Sequence, residues 1–517
     1  MFGNFGREAE MNKWIKGTIL SVGITIGFSS SFAIAADTPL GKFRMAEEVK
    51  LITLDPHNHT GGGLSYLRPV YETLFYRTPD ARIEPLLATS YKLEGMTLEI
   101  TLREDVKFSD GEPFNAKAVV ANITRGIELG VLAGLKPVEK AEAIGDYKVL
   151  ITLKAPSPSL LLDLTGNSGM MVSPIALQAP ALDRNPVGTG PYVYNAEMSR
   201  EGEVRIYTPN PTYWEPEQIG LESIEIWEIP DNTARLNAIT TGQVDIGKWL
   251  SSPQAVILDK TPGLTLIKRP GGSTYHLVIS DREGTKVPAF ADKRVRQAMN
   301  YAIDREAFAA AVQFGLSVPA FQPVDSGHWS YNTAVDGRFA YNPDKARELL
   351  AEAGYADGFT FTMPSIPVFS ARLEAIAGFF QDVGITMNID PIEPGTLARR
   401  SRTTDYAATN LVWRHLADPS LLTTYYIGES GIFNPFKVKP SDKLSKLVAD
   451  GLAAKEIDQR APIYSQVFEQ LADESYLIYI TATPLLVGTT DDVANNPTVN
   501  FRAGESSPYW RGLRMSQ

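Results

Sequence analysis

The sequence predicts an α/β protein with more than one domain. At 517 residues the chain is too long for one ordinary hydrophobic core. Its composition, 44% hydrophobic and 21% charged, is typical of a soluble globular protein. Strand-like and helix-like segments alternate between residues 275 and 389, which favours a mostly parallel sheet covered by helices. In such sheets ligands bind at the carboxyl ends of the strands.

The first part of the chain is expected to form strands and a small α+β region. Phe43–Leu54 has the composition of a strand, and the spacing of apolar residues in Leu67–Tyr76 is helical. Leu98–Leu102 and Val149–Leu153 are further strands, and between them Asn115 is placed to cap a helix. The region from Leu67 to the helix predicted at Ser159–Leu164 is therefore expected to be a small α+β unit.

Strands and helices follow one another through the remainder. Alternating apolar and polar residues predict strands at Glu203–Tyr207 and Glu222–Ile229, and Tyr275–Ile279 is a short strand. Asp292–Phe308 has the spacing of one long amphipathic helix. The other predicted elements are helices at Asn232–Thr240, Lys345–Ala353, Ala371–Val383 and Gln459–Glu474, and strands at Phe359–Met363, Ile385–Ile389, Leu477–Ile480 and Leu485–Gly488.

The charge and the N-terminus indicate an exported protein that does not bind nucleic acid. The formal net charge is −11, whereas a phosphate-backbone binder needs clustered Lys and Arg. Lys13 and Lys16 precede an apolar run, Thr18–Phe28, and Ala33 and Ala35 form an A-x-A cleavage site. The run is shorter than the roughly 20 residues that span a bilayer. Residues 1–35 are therefore predicted to be a signal peptide.

The sequence contains no cysteine. The exported protein would have no disulfide bond, and it lacks the cysteine that would carry a lipid anchor after cleavage. A freely soluble protein of the bacterial periplasm is expected.

Two possible ligand motifs are not supported. His57 and His59 suggest a metal site, but Asp55 is the only nearby carboxylate, so a structural or surface role is favoured. Gly242–Lys248 matches the spacing of a phosphate-binding loop, but Trp249 replaces the Ser or Thr that would bind the metal. No metal or cofactor is expected. The sequence also lacks the common catalytic motifs, including the G-x-S-x-G and H-E-x-x-H patterns, and no enzymatic activity is predicted.

One stretch, Asn410–Tyr426, carries the residue types of small-molecule recognition. Trp413, Arg414 and His415 follow an apolar run and precede Asp418, so an aromatic plane, a cation and a titratable ring meet where a strand ends. The alternative is a core tryptophan beside solvated charges.

Several segments resemble one family in order along the chain. The resemblance is to the extracytoplasmic solute-binding proteins of ABC importers, family 5, the peptide/nickel-binding type. The segments that carry it are Asp55-Pro56, Tyr71–Leu74, Pro85–Ser90, Leu102–Gly111, Pro186–Tyr192, Val295–Arg305, Tyr341–Asp344, and Trp413 with Asp418-Pro419.

The resemblance implies a two-lobed periplasmic-binding-protein fold, class II-like and of cluster C, with an extra α+β domain inserted in lobe I. A solute would be captured between the lobes and delivered to inner-membrane permease subunits, and a monomer is expected. The implied boundaries are lobe I at 36–66, 186–272 and 483–517, the extra domain at 67–185, and lobe II at 273–482.

Both anchors that dipeptide-binding relatives use are missing at the matching positions. The relatives hold the ligand ammonium with an Asp three residues after the tryptophan, where this chain has Leu416. They hold the carboxylate with an Arg in the loop that matches Pro364–Ser370, where the first Arg here is Arg372. An ammonium buried without a partner would keep its desolvation cost. Asp418 is left as a possible substitute anchor.

A peptide or peptide-like solute is the expected ligand class. The alternatives are an opine or sugar-acid conjugate, a metal chelate, or a sensor or exported hydrolase on the same fold. For Asn167 and Ser168 a helix C-cap turn is the competing interpretation, and for Thr60 and Gly62 a flexible turn. The residues expected to contact the ligand are Thr60, Gly62, Asn167, Ser168, Phe369, Trp413, Arg414, His415 and Asp418.

Overall fold

The described part of the chain forms one compact unit. The predicted signal peptide, residues 1–35, is not among the described residues, and the side chains of Pro270 and Arg414 are not described either. Among the described residues no helix is long and apolar enough to cross a membrane. The computed structural model describes residues 41–59, 63–79, 82–393, 396–414, 416, 418–454, 456–502, 504–505 and 507–515.

Strands and helices are distributed along the whole described chain. The strands are β1 (Lys42–Glu47), β2 (Phe75–Arg77), β3 (Ile83–Pro85), β4 (Ala88–Glu94), β5 (Thr97–Leu102), β6 (Val138–Ala143), β7 (Lys148–Leu153), β8 (Tyr192–Arg200), β9 (Val204–Pro209), β10 (Ser223–Glu228), β11 (Ile246–Gly247), β12 (Leu264–Ile279), β13 (Val318–Pro319), β14 (Phe359–Ser365), β15 (Ile385–Pro391), β16 (Ala408–Arg414) and β17 (Leu477–Thr490). The helices are α1 (Ala116–Leu129), α2 (Leu160–Asp163), α3 (Pro174–Gln178), α4 (Asn232–Thr240), α5 (Ser252–Leu258), α6 (Lys293–Tyr301), α7 (Arg305–Gln313), α8 (Pro343–Glu352), α9 (Ser370–Gln381), α10 (Leu397–Arg400), α11 (Asp442–Ala453), α12 (Ile457–Glu474) and α13 (Asp491–Ala494).

The largest sheet runs through both lobes in the order β16-β12-β17-β11-β1-β10-β9-β8, with β13 paired to β17. Two long strands join its halves. β12 has 16 residues and β17 has 14, and they pair antiparallel along most of their length. The strands predicted at Tyr275–Ile279, Leu477–Ile480 and Leu485–Gly488 are present. The predicted lengths were wrong, because the first is part of β12 and the other two are parts of the single strand β17. Each predicted piece is one end of a strand that passes from lobe to lobe.

Two glycines of β12 lie where β12 and β17 pass from one lobe to the other. The register between β12 and β17 shifts between Arg269 and Ser273, across Gly271 and Gly272. A Cβ atom on Gly272 would lie 1.9 Å from the Thr483 carbonyl oxygen. Only glycine therefore allows the two backbones to approach so closely here.

The predicted mostly parallel sheet is correct for only part of lobe II. β14 and β15 pair in parallel, and β14 lies beside β16, where the Asn410 side chain donates a hydrogen bond to the Pro364 carbonyl. β12, however, pairs antiparallel with both β16 and β17. The parallel prediction failed there because these strands are joined through distant parts of the chain rather than by one crossover helix.

Residues 67–185 include a four-stranded antiparallel sheet, β4-β5-β7-β6, with α1 packed on it. As predicted, Asn115 caps α1, because its side chain accepts a hydrogen bond from the Ala118 N–H. The predicted helix at Leu67–Tyr76 was wrong. The structure has a turn at residues 67–70 and the start of β2 at Phe75, and Val70 and Leu74 are buried in two different cores.

The predicted helix Asp292–Phe308 is two helices, α6 and α7. The break falls before Asp304, whose side chain accepts a hydrogen bond from the Ala307 N–H and so caps α7. The cap lets the chain turn while both helices contribute residues, among them Val295 and Phe308, to one core.

Separate hydrophobic cores define the lobes. Two cores lie around the β1 end of the large sheet, two lie around its β16 end, and a fifth fills the inserted α+β region. The molecule is thus a two-lobed α/β protein with an insert. The lobes are joined by β12 and β17, whose two ends pack in different cores.

Candidate functional site

Trp413 belongs to an aromatic cluster of lobe II. It lies near the end of β16, and its ring centroid is 5.1 Å from that of Tyr425 and 5.4 Å from that of Phe433. Leu416, which replaces the family's ammonium-binding Asp, is 4% exposed in the same core. The tryptophan is partly buried, so it combines a packing role with a position at the strand end.

Asp418 is paired within lobe II. Its two oxygens accept hydrogen bonds from the Arg460 guanidinium at 2.7 and 2.8 Å, and one of them also accepts from the Ser420 N–H at 2.9 Å. Burial alone would raise the pKa of Asp418, but the hydrogen bonds and charge of Arg460 outweigh burial and lower it. This carboxylate already has its cation.

Four other predicted residues can be placed only in part or not at all. The Arg414 backbone pairs with Ser273 of β12, but its side chain lies outside the described residues. Thr60, Gly62 and His415 also lie outside them. Their predicted ligand contacts stay predictions.

A cavity of about 440 Å³, here named the insert-side cavity, lies where the insert meets lobe I. Ser168 and Asn167 both line it. The Asn167 side-chain amide donates to the His59 carbonyl at 2.9 Å, which fixes the loop between the two regions. Asn167 begins a short 3-10 turn, so the local-turn interpretation and a place in a cavity wall both hold.

Asp163, at the end of α2, also lines the insert-side cavity, and sequence reasoning missed it. Burial raises the pKa of this carboxyl to about 6, with a further contribution from the negative charge of Asp418. Asp163 in turn contributes to the raised pKa of Tyr425, which burial raises most. These couplings place the cavity's carboxylate near the lobe II loop that follows Trp413.

Cations lie on the same cavity. Arg68 donates to Glu505 at 2.5 Å and to the Thr165 carbonyl at 3.0 Å, and burial lowers its pKa to about 10. Arg77 also lines the cavity, and burial lowers its pKa as well. The lining of the insert-side cavity therefore includes both charge signs, although the Arg68 cation is already paired with Glu505.

A second cavity, of about 500 Å³, is lined by both lobes where β12 and β17 pass between them. It is here named the hinge cavity. Lobe I contributes the loop after β11, and lobe II contributes α7, α9 and the end of β16. Its wall includes Trp249–Gln254, Tyr275, Val312–Phe314, Arg372, Val412 and Thr483.

Phe369 adjoins the hinge cavity rather than the insert-side cavity. Its ring centroid lies 6.0 Å from that of Tyr275, and the Arg372 guanidinium carbon lies 5.5 Å from the Phe369 ring and 5.2 Å from the Tyr275 ring. Val368, the preceding residue, is exposed and lines the cavity. Of the predicted site residues, Asn167 and Ser168 thus line the insert-side cavity and Phe369 adjoins the hinge cavity, whereas Trp413 and Asp418 are in neither lining set.

The histidine motif is structural in its contacts. His57 is 1% exposed, and its Nδ1 lies 3.0 Å from the Arg125 guanidinium. Burial lowers the pKa of His57 to about 4, which keeps the ring neutral. Among the described residues, no group of three or more His, Cys, Asp or Glu side chains could hold a metal ion.

Lys248, the lysine of the rejected phosphate-loop match, is also internal. Its ammonium lies 2.8 Å from Glu47 Oε2, and both side chains are at most 5% exposed. Burial raises the pKa of Glu47 to about 8 despite the opposing charge of Lys248. The lysine thus compensates a buried carboxyl.

Two lobes joined by a pair of strands, with a cavity lined by both, define the class of two-lobed solute-binding proteins. The sequence model described as "Bacterial extracellular solute-binding proteins, family 5 Middle" matches residues 82–431. The chain belongs to this family.

Curated relatives support the same assignment. The chain is 32% identical over 359 residues to glutathione-binding protein GsiB of Pectobacterium atrosepticum, covering 67% of this chain and 68% of that protein. It is 31% identical over 396 residues to glutathione-binding protein GsiB of Escherichia coli O1:K1, with 74% of each chain covered.

Solved structures show the same fold with different ligands. The periplasmic binding protein DppA of Helicobacter pylori, in complex with the peptide STSA, is similar with a TM-score of 0.76 and 22% identity over 92% of this chain and 98% of that one. NikA of Brucella suis, in complex with Fe(III)-EDTA, gives a TM-score of 0.79 and 23% identity over 92% and 100%. AgaA of A. tumefacien R10, in complex with agropinic acid, gives 0.75 and 22% over 92% and 99%.

Proposed function

We propose that this protein is the periplasmic substrate-binding component of an ABC importer and that it captures a peptide or peptide-like solute between its lobes. One observation carries the proposal. The hinge cavity is lined by both lobes at the point where β12 and β17 join them. A solute held there contacts both lobes at once, as capture by lobe closure requires.

Binding would act by shifting the balance between open and closed forms. A ligand that contacts both lobes only in the closed form stabilises that form by the difference between its binding free energies for the closed and the open forms. A shift from 1:99 to 99:1 needs roughly 5.5 kcal/mol of such difference. No covalent step is needed, and the protein is proposed to bind its solute without altering it.

The absence of the family's ammonium-binding Asp narrows the ligand. Leu416 is apolar and buried, and Asp418 is occupied by Arg460. We infer that Asp163, which lines the insert-side cavity, accepts the positive group of a ligand that extends from the hinge cavity to the insert. A peptide whose amine is placed differently from that of an ordinary dipeptide fits this arrangement, and the glutathione-binding relatives make glutathione the first compound to test.

A non-peptide acid is the second candidate. The same missing Asp favours a ligand without a free α-ammonium next to a peptide bond, and the hinge cavity contains a cation, Arg372. A structural neighbour is in complex with agropinic acid. A non-peptide acid without a basic nitrogen would leave Asp163 without a charged partner, so such an acid and a peptide differ in their dependence on that residue.

Location, partner and domain boundaries follow from the same proposal. Export by residues 1–35 would deliver a soluble monomer to the periplasm, where it would meet the inner-membrane permease subunits. The boundaries proposed for lobe I and lobe II, at 272/273 and 482/483, fall within β12 and β17. Hinge bending would then occur inside paired strands.

Native mass spectrometry of the protein purified from its own periplasm tests the proposal. We expect a bound compound of a few hundred daltons, released unaltered on denaturation. Incubation of the empty protein with that compound should restore the same complex and leave no product. Turnover of the compound would contradict the proposal, and so would a protein that neither retains a solute nor binds any peptide, opine or chelate offered at millimolar concentration.

A further inference from the structure

The hinge cavity has a polar wall whose groups lack partners. Tyr275 is 1% exposed, yet its hydroxyl has no hydrogen-bond partner among the described residues. Gln313, at the end of α7, is also 1% exposed, and its Oε1 lacks a described partner too. Buried polar groups are almost always hydrogen-bonded, so two exceptions in one cavity require an explanation.

Lobe I supplies a third such group. Gln254 lies on α5, lines the cavity, and has an Oε1 atom that is buried without a described partner. Residues of α7 and α9 in lobe II line the same cavity. Acceptor oxygens from both lobes are thus available to one occupant of the cavity, and an N–H group is what such oxygens bind.

The same wall contains an uncompensated cation. Within the described part of the chain Arg372 makes no ion pair, and its neighbours are the rings of Tyr275 and Phe369. Burial lowers its pKa, opposed only by the Tyr275 hydroxyl. A guanidinium presents a planar fork of donors that matches a carboxylate.

Apolar residues complete the cavity. Val312, Phe314, Val368 and Val412 line it beside the polar groups. A volume of about 500 Å³ is within the range of small-ligand sites. The wall therefore combines one cation, acceptors for N–H groups and an apolar surface.

We propose that the hinge cavity binds the carboxylate end of the ligand, with Arg372 holding the carboxylate and with Gln254 and Gln313 accepting from an adjacent N–H. This inference rests on the proposed function and names the chemical group that both lobes recognise. A carboxylate beside a substituted N–H occurs in the C-terminus of a peptide and in N-carboxyalkyl amino acids. An Arg372 ion pair made only on binding would favour the closed form.

The test uses two probes, glutathione and an N-(1-carboxyethyl) amino acid, each as the acid and as the matching primary amide. Calorimetry compares the wild type with Arg372→Gln, Arg372→Lys and the control Arg399→Gln, which removes an exposed arginine of α10. For whichever probe binds, the wild type should prefer acid over amide by roughly 10- to 100-fold. Arg372→Gln should bind acid and amide alike, Arg372→Lys should keep part of the preference, and Arg399→Gln all of it.

The remaining outcomes separate the inference from the proposed function. An acid preference that survives in Arg372→Gln, with its melting temperature unchanged, overturns the subsite and leaves solute capture in place. If neither probe binds, the compound that the protein retains when purified from the periplasm is identified and used as the probe. A retained solute without a carboxylate overturns the inference alone, and one with a carboxylate is tested as acid and amide in the same way. Absence of any bound solute overturns both.

Discussion

Two arginines of lobe II, Arg460 and Arg372, differ in whether a carboxylate of the protein pairs with them. Arg460 forms a bidentate ion pair with Asp418 at 2.7 and 2.8 Å, and its side chain is 4% exposed. Arg372 has no carboxylate partner among the described residues and lies against aromatic rings in the wall of the hinge cavity. The carboxylate in the loop after Trp413 is therefore already neutralised by a cation, whereas the hinge cavity contains an arginine without a described counterion.

The difference indicates where this protein recognises its ligand. An ion pair inside a lobe needs no ligand, so Asp418 contributes to folding more than to binding. A partly buried cation without a counterion is a cost to the free protein, and such perturbed groups in clefts are candidates for functional sites. The recognition groups we propose are therefore Asp163 and Arg372 rather than the Trp413 loop of the family pattern.

The largest expected loss of stability comes from breaking the ion pair between Asp418 and Arg460. Arg460→Met leaves the Asp418 carboxylate buried without a cation, which typically costs about 3–5 kcal/mol. Urea unfolding followed by fluorescence should show this loss. The double variant Asp418→Asn with Arg460→Met removes the orphaned charge and should recover much of it. An unchanged unfolding midpoint in Arg460→Met would show that the pair does not stabilise the lobe.

The hinge should be sensitive to one added methyl group. Gly272→Ala places a Cβ atom 1.9 Å from the Thr483 carbonyl oxygen, so the paired strands must separate locally, at a cost of about 1–3 kcal/mol. Gly378→Ala is the matched control, because Gly378 lies in α9 with no atom near the added Cβ; it should stabilise by about 0.5–1 kcal/mol. Equal unfolding midpoints for the two variants would contradict the tight crossing.

Asp163 predicts a pH dependence of stability. Its pKa in the folded protein, about 6, lies above its ordinary value of 3.8. The stabilisation from its protonated form is complete below pH 4 and is lost as the pH rises through 6. Asp163→Asn stays neutral, so its free energy of unfolding should exceed that of the wild type by about 3 kcal/mol at pH 8 and match it at pH 4. Parallel stability curves from pH 4 to 8 would rule out the raised pKa.

The smallest effect on stability is expected at Arg372. Arg372→Met removes a cation that has no described counterion and keeps much of the apolar stem, so the free protein should change by less than about 1 kcal/mol. Thermal and urea unfolding beside Arg460→Met give the comparison directly. A loss as large as that of Arg460→Met would mean that Arg372 has a structural partner rather than a role in binding.

Local sequence signals predicted the elements that depend on local chemistry. Helix α4 has the predicted bounds, Asn232–Thr240, and Asn115 caps α1 as its side chain suggested. The joining strands could not be predicted in the same way. Gly271 and Gly272 are typical of a strand end, and only the antiparallel partner, β17, allows β12 to continue through them.

The site was less predictable because it depends on contacts between distant residues. Asp418 and Arg460 are 42 positions apart, so the sequence could not show that the candidate anchor was already paired. Arg372 follows Phe369 at the start of a helix, where an arginine is most often solvated. Its place in a ligand-sized cavity follows from packing against Tyr275 of a distant strand.

A crystal structure of the protein purified from its own periplasm, with its retained solute, would show where the ligand binds. We expect a solute that contacts both lobes, with a carboxylate within hydrogen-bond distance of Arg372 and with the Asp418–Arg460 pair intact. A solute bound to one lobe only, or one whose charged group replaces Arg460 at Asp418, would contradict it.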